Sequence, residues 1–475
     1  MSKILKIFLI AVSGLISLLV LGAVVLLLFV DANAHKPRLE AAASKAMGME
    51  VRVGGRLGIG FFPGLLVTLE DVRIRNREAD IVSAKEAWLW IDILPLLKQE
   101  VRIGKIALQQ PSITIERDLK GHFNFEKPEP SGGTLPALNL ARISLVGGTL
   151  HYADKQSGGG FEAGDCSLKV DRLRLAGGRS ADFMKNLSIK AELSCGEIRK
   201  KDFILSDVKL SVSGNGGVFD LKPVTMHAFG GQGTGSVHTD YSGTVPRYQV
   251  RYSLMQFNIG EFFKAMSPQN VAQGPMDFTV ALSMQGSTAH DMRQSADGEL
   301  SLRGEHLVLD GNDIDDKIAR FESSQNFNIV DVGAFFFAGP AGLAITKGYD
   351  FVSIFQGSGG RSDIRTFFSS WKVENGVAQA QDVALATHRN RIALRGGIDF
   401  VNERFNGVTV AVIDAKGCAS VRQKIRGSFR KPQIEQPKIL RSLTGPAITL
   451  LKKGRDLLPG GKCDVFYAGS VAPPK

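Results

Sequence analysis

Residues 84–93 read AKEAWLWIDI, and they give the clearest indication of the fold class. Its apolar side chains alternate: one face of an extended strand carries Ala87, Leu89, Ile91 and Ile93, and the other carries Trp88 and Trp90. A period of two residues is typical of a β-strand with two different faces. The same alternation recurs along the chain from Val51 to Val412, with Gly, Asn, Asp and Ser turns between the runs. The pattern therefore predicts a mainly β protein built from an antiparallel, meandering sheet.

Helical signals are sparse and short. Residues 35–48 predict a helix, because Pro37 suits its first turn and Gly48 ends it. Further helices are predicted over residues 259–266, 313–324 and 332–346, and residues 437–458 have apolar side chains at roughly helical spacing. Residues 332–346 are apolar but too few to span a bilayer, so they predict a buried helix.

Residues 7–30 form an uncharged, mostly apolar run of 24 residues, with Lys3 and Lys6 before it and Asp31 after it. About 20 apolar residues cross a bilayer as a helix, so the run predicts a membrane anchor. The positive-inside rule leaves the N-terminus in the cytoplasm and sends the rest of the chain across the membrane. The competing interpretation is a cleaved signal peptide, because Ala32-Asn33-Ala34 follows the run. Signal-peptide cores of about 7–15 residues are, however, shorter than this one.

Four cysteines lie in the exported part, where an even number favours disulfides. Pairing of nearest neighbours is predicted, Cys166 with Cys195 and Cys418 with Cys463, because each pair lies within one segment. Zinc is the weaker alternative, since the chain has no C-x-x-C and no histidine cluster near a cysteine. No cofactor or metal is predicted.

The formal net charge of +11 is concentrated at the C-terminus. Residues 416–475 contain 13 Lys or Arg and 3 acidic residues, a balance of +10. This segment is either a solvated basic surface or one that attracts anionic lipid headgroups or an acidic partner. The candidate residues for such attraction are Arg422, Lys424, Arg426, Lys452 and Lys453. An exported chain without a recognition module is not expected to bind nucleic acid.

The chain contains none of the motifs G-x-S-x-G, G-x-x-x-x-G-K-[ST], H-E-x-x-H or G-x-G-x-x-G. Its eight histidines are scattered without metal-ligand spacing. Asp313, Asp315 and Asp316 fall at a predicted helix start, where acidic residues are expected. The sequence therefore predicts a protein that is not an enzyme.

Four stretches follow one another in the first 126 residues: DANAHKPRLEAAASKAMGMEVRVGGRL (31–57), FFPGLLVTLEDVRIRN (61–76), AKEAWLWIDILPLL (84–97) and IALQQPSITIERDLKGHFNFE (106–126). In this order they resemble the AsmA family of envelope proteins from bacteria with two membranes. Residues 298–432 resemble the C-terminal repeat of that family, most clearly at SSWKVENGVAQAQDVALAT (369–387) and IALRGGIDF (392–400). The ending VFYAGSVAPP is similar as well.

The resemblance implies a single-pass inner-membrane protein with a periplasmic body. It also implies kinship with bridge-like lipid-transfer proteins, whose elongated, curled antiparallel sheets form an open groove lined with apolar side chains. The expected function is binding or passive transfer of phospholipid in outer-membrane biogenesis. The candidate groove residues are Val67, Leu69, Leu89, Ile91, Ile93, Ile113 and Ile115.

Alternation alone does not separate an open groove from a sandwich or a closed barrel. The alternative function is therefore a scaffold or assembly factor without bound lipid, which affects outer-membrane protein or lipopolysaccharide biogenesis through an envelope protein partner.

The predicted organisation is an anchor at 1–31, an AsmA-like β segment at 35–125, a Pro/Gly-rich linker at 126–138, a middle β segment at 139–290, a C-terminal β repeat with a helical insert at 291–435 and a basic tail at 436–475.

Overall fold

The computed structural model describes residues 32–47, 49–60, 64–76, 79–92, 103–125, 134–135, 138–140, 142–176, 178–179, 183–265, 272–311, 313–316, 318–319, 360–429, 431–435, 438–439 and 465–474. The chain forms two compact units. Unit 1 contains the described residues up to Lys201 together with Ser206–Gly217. Unit 2 contains Asp202–Leu205 and the described residues from Val218 onward. Both units are mainly β, as the alternation predicts.

The helices are few and short: α1 (Lys36–Met47), which follows a 3-10 turn at Ala32–His35, α2 (Phe183–Asn186), α3 (Ile259–Lys264) and α4 (Ala289–Gln294). Helices α1 and α3 confirm two of the predicted helices. Helix α4 was not expected, although its sequence contains a capping box. The Asp291 amide donates to the Thr288 hydroxyl at 3.2 Å, and the Thr288 amide donates to the Asp291 carboxylate at 3.1 Å.

Several predicted helices fall wholly or largely outside the described residues. These are the anchor at 7–30, the buried helix at 332–346, most of 313–324 and nearly all of 437–458. Within 313–324, residues 314–316 and 318–319 are helical. Among the described residues, no helix has the length and hydropathy that crossing a bilayer requires.

The strands of unit 1 are β1 (Glu50–Val53), β2 (Leu57–Gly60), β3 (Leu65–Asn76), β4 (Ala79–Ile91), β5 (Ile103–Gln109), β6 (Ser112–Arg117), β7 (Thr134–Leu135), β8 (Leu138–Leu140), β9 (Arg142–Asp154), β10 (Gly159–Leu175), β11 (Gly178–Arg179) and β12 (Leu187–Lys200). Strand β13 (Phe203–Asn215) has residues in both units.

The strands of unit 2 are β14 (Val218–Ala228), β15 (Gly231–Asp240), β16 (Arg247–Asn258), β17 (Ala272–Gln273), β18 (Pro275–Gln285), β19 (Asp297–Asp310), β20 (Arg361–Glu374), β21 (Val377–Ala386), β22 (Arg391–Asp399), β23 (Arg404–Ile413), β24 (Ala419–Ser428), β25 (Lys431–Ile434) and β26 (Lys438–Ile439).

The sheet of unit 1 is mixed. Strand β3 pairs antiparallel with β1, β2 and β4. Strand β4 also pairs antiparallel with β5 and β6. Strand β10 pairs antiparallel with β8, β9 and β12. Strand β9, in contrast, runs parallel to β5 and β6. The sheet of unit 1 is thus largely antiparallel, as predicted, but the pairing of β9 with β5 and β6 departs from that prediction. Parallel strands need a crossover connection between them, whereas antiparallel strands can be joined by a short hairpin.

Unit 2 follows the predicted meander. Strands β14, β15, β16, β18, β19, β20, β21, β22, β23 and β24 pair antiparallel with their neighbours in that order. The short strand β17 pairs with β19, and β25 and β26 pair with β24.

Candidate functional site

An apolar face extends across seven strands of unit 1. Cross-strand partners share a face of a sheet, and the pairing register therefore defines its rows. The first row contains Ile59, Val67, Leu89, Ile106, Ile143, Val170 and Ala191, and the second contains Leu57, Leu69, Ala87, Leu108, Leu145, Leu168 and Leu193. These residues come from β2, β3, β4, β5, β9, β10 and β12. We call this surface the apolar face of unit 1.

The strands become irregular at one level, just beyond the second row. Residues with positive φ lie there in or between the strands: Asp71 (49°), Gln110 (46°), Gly147 (62°) and Asp165 (50°). An extra residue in a strand shifts its alternation by one position, bends it and increases its twist. A third apolar row follows with the shifted spacing: Val51, Ile74, Val82, Ile113, Leu150, Ala163 and Ile198. The irregularities thus keep the apolar residues on one face of a bent sheet.

The predicted groove residues come together on this face. Val67 and Leu89 are in the first row, Leu69 is in the second and Ile113 is in the third. Ile91 pairs with Leu65 and Ile103 beside the first row. Ile115 pairs with Tyr152, which pairs with Phe161, beside the third row. Ile93 lies outside the described residues.

Exposure changes along the face. Near its start the face is covered by α1, whose Leu39 packs against the cluster that contains Val67 and Leu69, and these two side chains are only 8% and 5% exposed. Farther along, most of the large side chains are only half-buried: Leu89, Ile106, Leu108, Ile143, Leu145, Leu168 and Leu193. A sheet face inside a closed core would be fully buried.

Unit 2 provides such a closed core. Its apolar residues form one continuous cluster across β16 and β18–β24, together with α3. Six members with 0% exposure are Leu307, Ile364, Phe367, Leu385, Ile392 and Val410. The large side chains on the apolar face of unit 1 are therefore more exposed than those in the core of unit 2.

The opposite face of β21–β23 in unit 2 carries a C-terminal strap, residues 465–474. Phe466, Tyr467 and Val471 pack on a floor of small side chains that includes Ala384, Ala393 and Ala411. The Tyr467 hydroxyl donates to the Asp382 carboxylate, and the Val471 amide donates to the Tyr467 hydroxyl at 3.1 Å. Burial and the hydrogen bond to Asp382 raise the pKa of Tyr467 well above its usual value. Sequence reasoning missed this contact, although the strap has a family-like sequence.

The basic candidates near the strap have different surroundings. The Arg422 guanidinium lies 5.3 Å from the centroid of the Phe466 ring, and Arg426 is paired with Glu435 at 3.0 Å. Lys424, between them on the same face of β24, is exposed. Lys452 and Lys453 lie outside the described residues. Arg422 thus helps to hold the strap, and attraction of this surface to anionic lipid stays a prediction.

The cysteine pairing is resolved for one pair. Cys166 and Cys195 form the expected disulfide. Cys418 is also disulfide-bonded, and its expected partner Cys463 lies outside the described residues. Among the residues that the structure describes, no group of three or more His, Cys, Asp or Glu could hold a metal ion.

Comparison with known proteins supports the resemblance read from the sequence. A sequence model of the AsmA family matches residues 1–176 and 135–337, which together cover 337 of the 475 residues. The match ends before most of the segment that resembles the C-terminal repeat. Searches of curated proteins and of solved structures return no match to this chain. The family match covers more than half of the chain, and the protein belongs to the AsmA family.

Proposed function

We propose that this protein is anchored in the inner membrane by residues 7–30 and that unit 1, in the periplasm, binds phospholipid. The acyl chains lie on the apolar face of unit 1, and the headgroups stay in water at its edge. The protein performs no chemistry on the lipid. Transfer is passive movement of lipid along the face, in outer-membrane biogenesis.

One observation carries this proposal: the half-burial of Leu89, Ile106, Leu145 and Leu168 in rows that continue over seven strands. An apolar surface of this extent is normally covered by protein or by a ligand. An acyl chain is a suitable cover, because each buried methylene contributes roughly 0.8 kcal/mol. The continuous rows offer such a chain no charged position.

One specific observation supports the alternative function as a scaffold or assembly factor. The core of unit 2 is closed, with Phe367 and Ile392 fully buried, as expected for a scaffold or assembly factor without bound lipid. In that case the protein affects outer-membrane protein or lipopolysaccharide biogenesis through an envelope protein partner. The two functions differ in what contacts the apolar face of unit 1.

The test compares one position on the apolar face with one exposed position in unit 2. A photoreactive p-benzoylphenylalanine replaces Leu145 in one variant of the full chain and the exposed Thr279 on β18 in the other. Cells are grown with radiolabelled phosphate and irradiated. We expect a phosphate-labelled lipid adduct at position 145 and little or none at position 279. A protein adduct without lipid at position 145 would favour the scaffold, and equal lipid labelling at both positions would contradict binding on the apolar face.

A further inference from the structure

Trp88 and Trp90 lie on the face of unit 1 opposite the apolar face. Their indole rings contact edge to face, with centroids 6.1 Å apart. Both side chains are half-buried. The chain has three tryptophans, and the third, Trp371, is 3% exposed in the core of unit 2. The tryptophan pair has no role in the proposed lipid-binding face.

Basic residues extend the tryptophan pair across the sheet. The Lys105 ammonium lies 4.2 Å from the centroid of the Trp90 ring, within the range of a cation–π contact. Lys105 pairs across strands with Trp90 on β4 and with Arg142 on β9, and Arg142 is exposed. The row formed by Leu66, Trp90, Lys105 and Arg142 contains two cations and no acidic residue. We call Trp88 and this row the Trp–Lys patch.

Acidic residues border the patch on the same face, at the cross-strand partners Glu70 and Glu86. The Glu86 carboxylate accepts a hydrogen bond from the Trp88 indole at 3.1 Å, and Asp92 follows the end of β4. Tryptophan side chains concentrate at the headgroup level of membranes, and lysine and arginine extend their charges to anionic headgroups from an apolar stem. The composition of the patch is that of a surface resting on an anionic bilayer.

The start of unit 1 connects this patch to the predicted anchor. The Asn33 side chain accepts a hydrogen bond from the Leu57 amide at 2.9 Å, and this contact fixes the residues that follow the predicted anchor to β2. From Val30 to Asn33 the chain spans at most about 10 Å. Strands β2 and β4 are two strand spacings apart, roughly 10 Å. Trp88 and Trp90 on β4 therefore lie on the order of 20 Å from the end of the predicted anchor, and Arg142 on β9 lies roughly 10 Å farther.

We infer that the Trp–Lys patch docks unit 1 onto the anionic surface of the membrane that holds the anchor. Docking leaves the apolar face on the other side of the sheet, directed away from that surface. The inference takes from the proposed function only the anchor at residues 7–30. Flotation of the full-length K105E/R142E variant with vesicles tests that anchor without the contribution of the patch.

The closing experiment uses tryptophan emission of the full chain in proteoliposomes of phosphatidylcholine with phosphatidylglycerol. Half of the preparations contain acyl chains brominated near the headgroup, because bromine quenches indole emission at close range. We expect bromolipid to reduce the emission of the wild-type protein. The reduction should disappear in the W88F/W90F variant, whose remaining Trp371 is buried, and should weaken when phosphatidylglycerol is omitted.

Charge reversal separates docking from lipid on the other face. Each basic residue near an anionic surface favours docking by roughly fivefold, so the K105E/R142E variant should lose most of the bromolipid effect. The L145R variant, altered on the apolar face, should keep it. Quenching that is lost in L145R and kept in K105E/R142E would overturn the inference. The inference would also be overturned if bromolipid did not quench the Trp88 and Trp90 emission of the wild-type protein. This includes the case in which acrylamide fails to quench this emission as well, because protein then covers the patch.

Discussion

Cys166 on β10 and Cys195 on β12 are direct cross-strand partners, and their disulfide lies in line with Leu168 and Leu193 on the apolar face of unit 1. It is placed where the irregular part of β10 begins, beside Asp165. The disulfide therefore joins two strands at the level where the sheet bends. It also adds an apolar group to the proposed lipid-binding surface.

Removal of this disulfide is expected to destabilise unit 1. The bond joins residues 29 positions apart in the sequence, and loop-closure entropy for such a separation gives about 3–4 kcal/mol. The C166A/C195A variant keeps the face apolar, so the change isolates the covalent bond. The measurement is the free energy of opening from hydrogen exchange of β10 and β12, with β22 in unit 2 as the internal control. Equal exchange in the variant and the wild type would show that the disulfide does not stabilise unit 1.

Truncation of matched isoleucines should distinguish the two apolar surfaces. Ile392 has 0% exposure in the core of unit 2, and I392A should cost about 2–5 kcal/mol through lost burial and a cavity. Ile106 is half-buried in unit 1, so I106A should cost about half as much or less. Denaturant unfolding, followed by hydrogen exchange in each unit, measures both. A cost for I106A as large as that for I392A would mean that unit 1 is as closed as unit 2.

Gly417 is expected to be essential for docking of the C-terminal strap. Its φ is +82°, and a Cβ there would overlap the Tyr467 carbonyl oxygen. The Phe466 and Tyr467 amides donate to the Gly417 carbonyl at 2.8 and 3.0 Å. We expect G417A to release the strap, so that proteases cleave residues 465–474 at least tenfold faster. A loss of about 1.4 kcal/mol in the free energy of strap docking corresponds to this factor.

Gly407 provides the matched control for that substitution. Its φ is also positive, +63°, but no atom lies within 4 Å of the position of a Cβ. G407A should therefore cost only the roughly 1–2 kcal/mol of the left-handed conformation and leave the strap docked. Mass spectrometry of the cleavage products follows both variants. Similar protease resistance of the strap in G417A and in the wild type would contradict the predicted overlap.

Strap docking should also weaken at alkaline pH. The pKa of Tyr467 is raised in the folded protein, first by burial and then by its hydrogen bond to Asp382. Its value in an unfolded chain is about 10. Because the pKa is raised in the folded protein, the neutral hydroxyl stabilises the docked strap fully below about pH 10. This stabilisation is lost as the pH rises towards the pKa of Tyr467 in the folded protein. Ionisation would place a phenolate against the Asp382 carboxylate.

The measurement for this prediction is protease sensitivity of the strap across alkaline pH, with tyrosinate absorbance recorded in parallel. Y467F removes the ionisable group together with its hydrogen bonds, so its strap should be weaker at neutral pH and should lack the alkaline transition at this site. Tyr248, whose pKa burial and Tyr241 raise to about 12, lies elsewhere in unit 2 and contributes its own absorbance change. A strap that loosens at the same pH in Y467F and in the wild type would rule out Tyr467 as the responsible group.

Local pattern was sufficient to predict which side chains share a face. Alternation in residues 84–93 placed Leu89 and Ile91 together and Trp88 and Trp90 on the other side, and the register of β3, β4 and β5 agrees. Side chains of a strand alternate whatever its neighbours are, so this information is contained in the sequence. The positions of α1 and α3 were likewise predictable from proline, glycine and apolar spacing.

Sequence alone was enough to predict a mainly β chain, its AsmA resemblance, the short helix after residue 31 and the Cys166–Cys195 pairing. The three-dimensional structure was needed to show that β9 runs parallel to β5 and β6, that the irregularities at Asp71, Gly147 and Asp165 keep three apolar rows on one face, and that residues 465–474 lie on β21–β23. The structure also shows that Ile106 is half-buried and Ile392 fully buried. The physical reason is that alternation specifies a face but not what covers it, because burial depends on residues distant in the sequence.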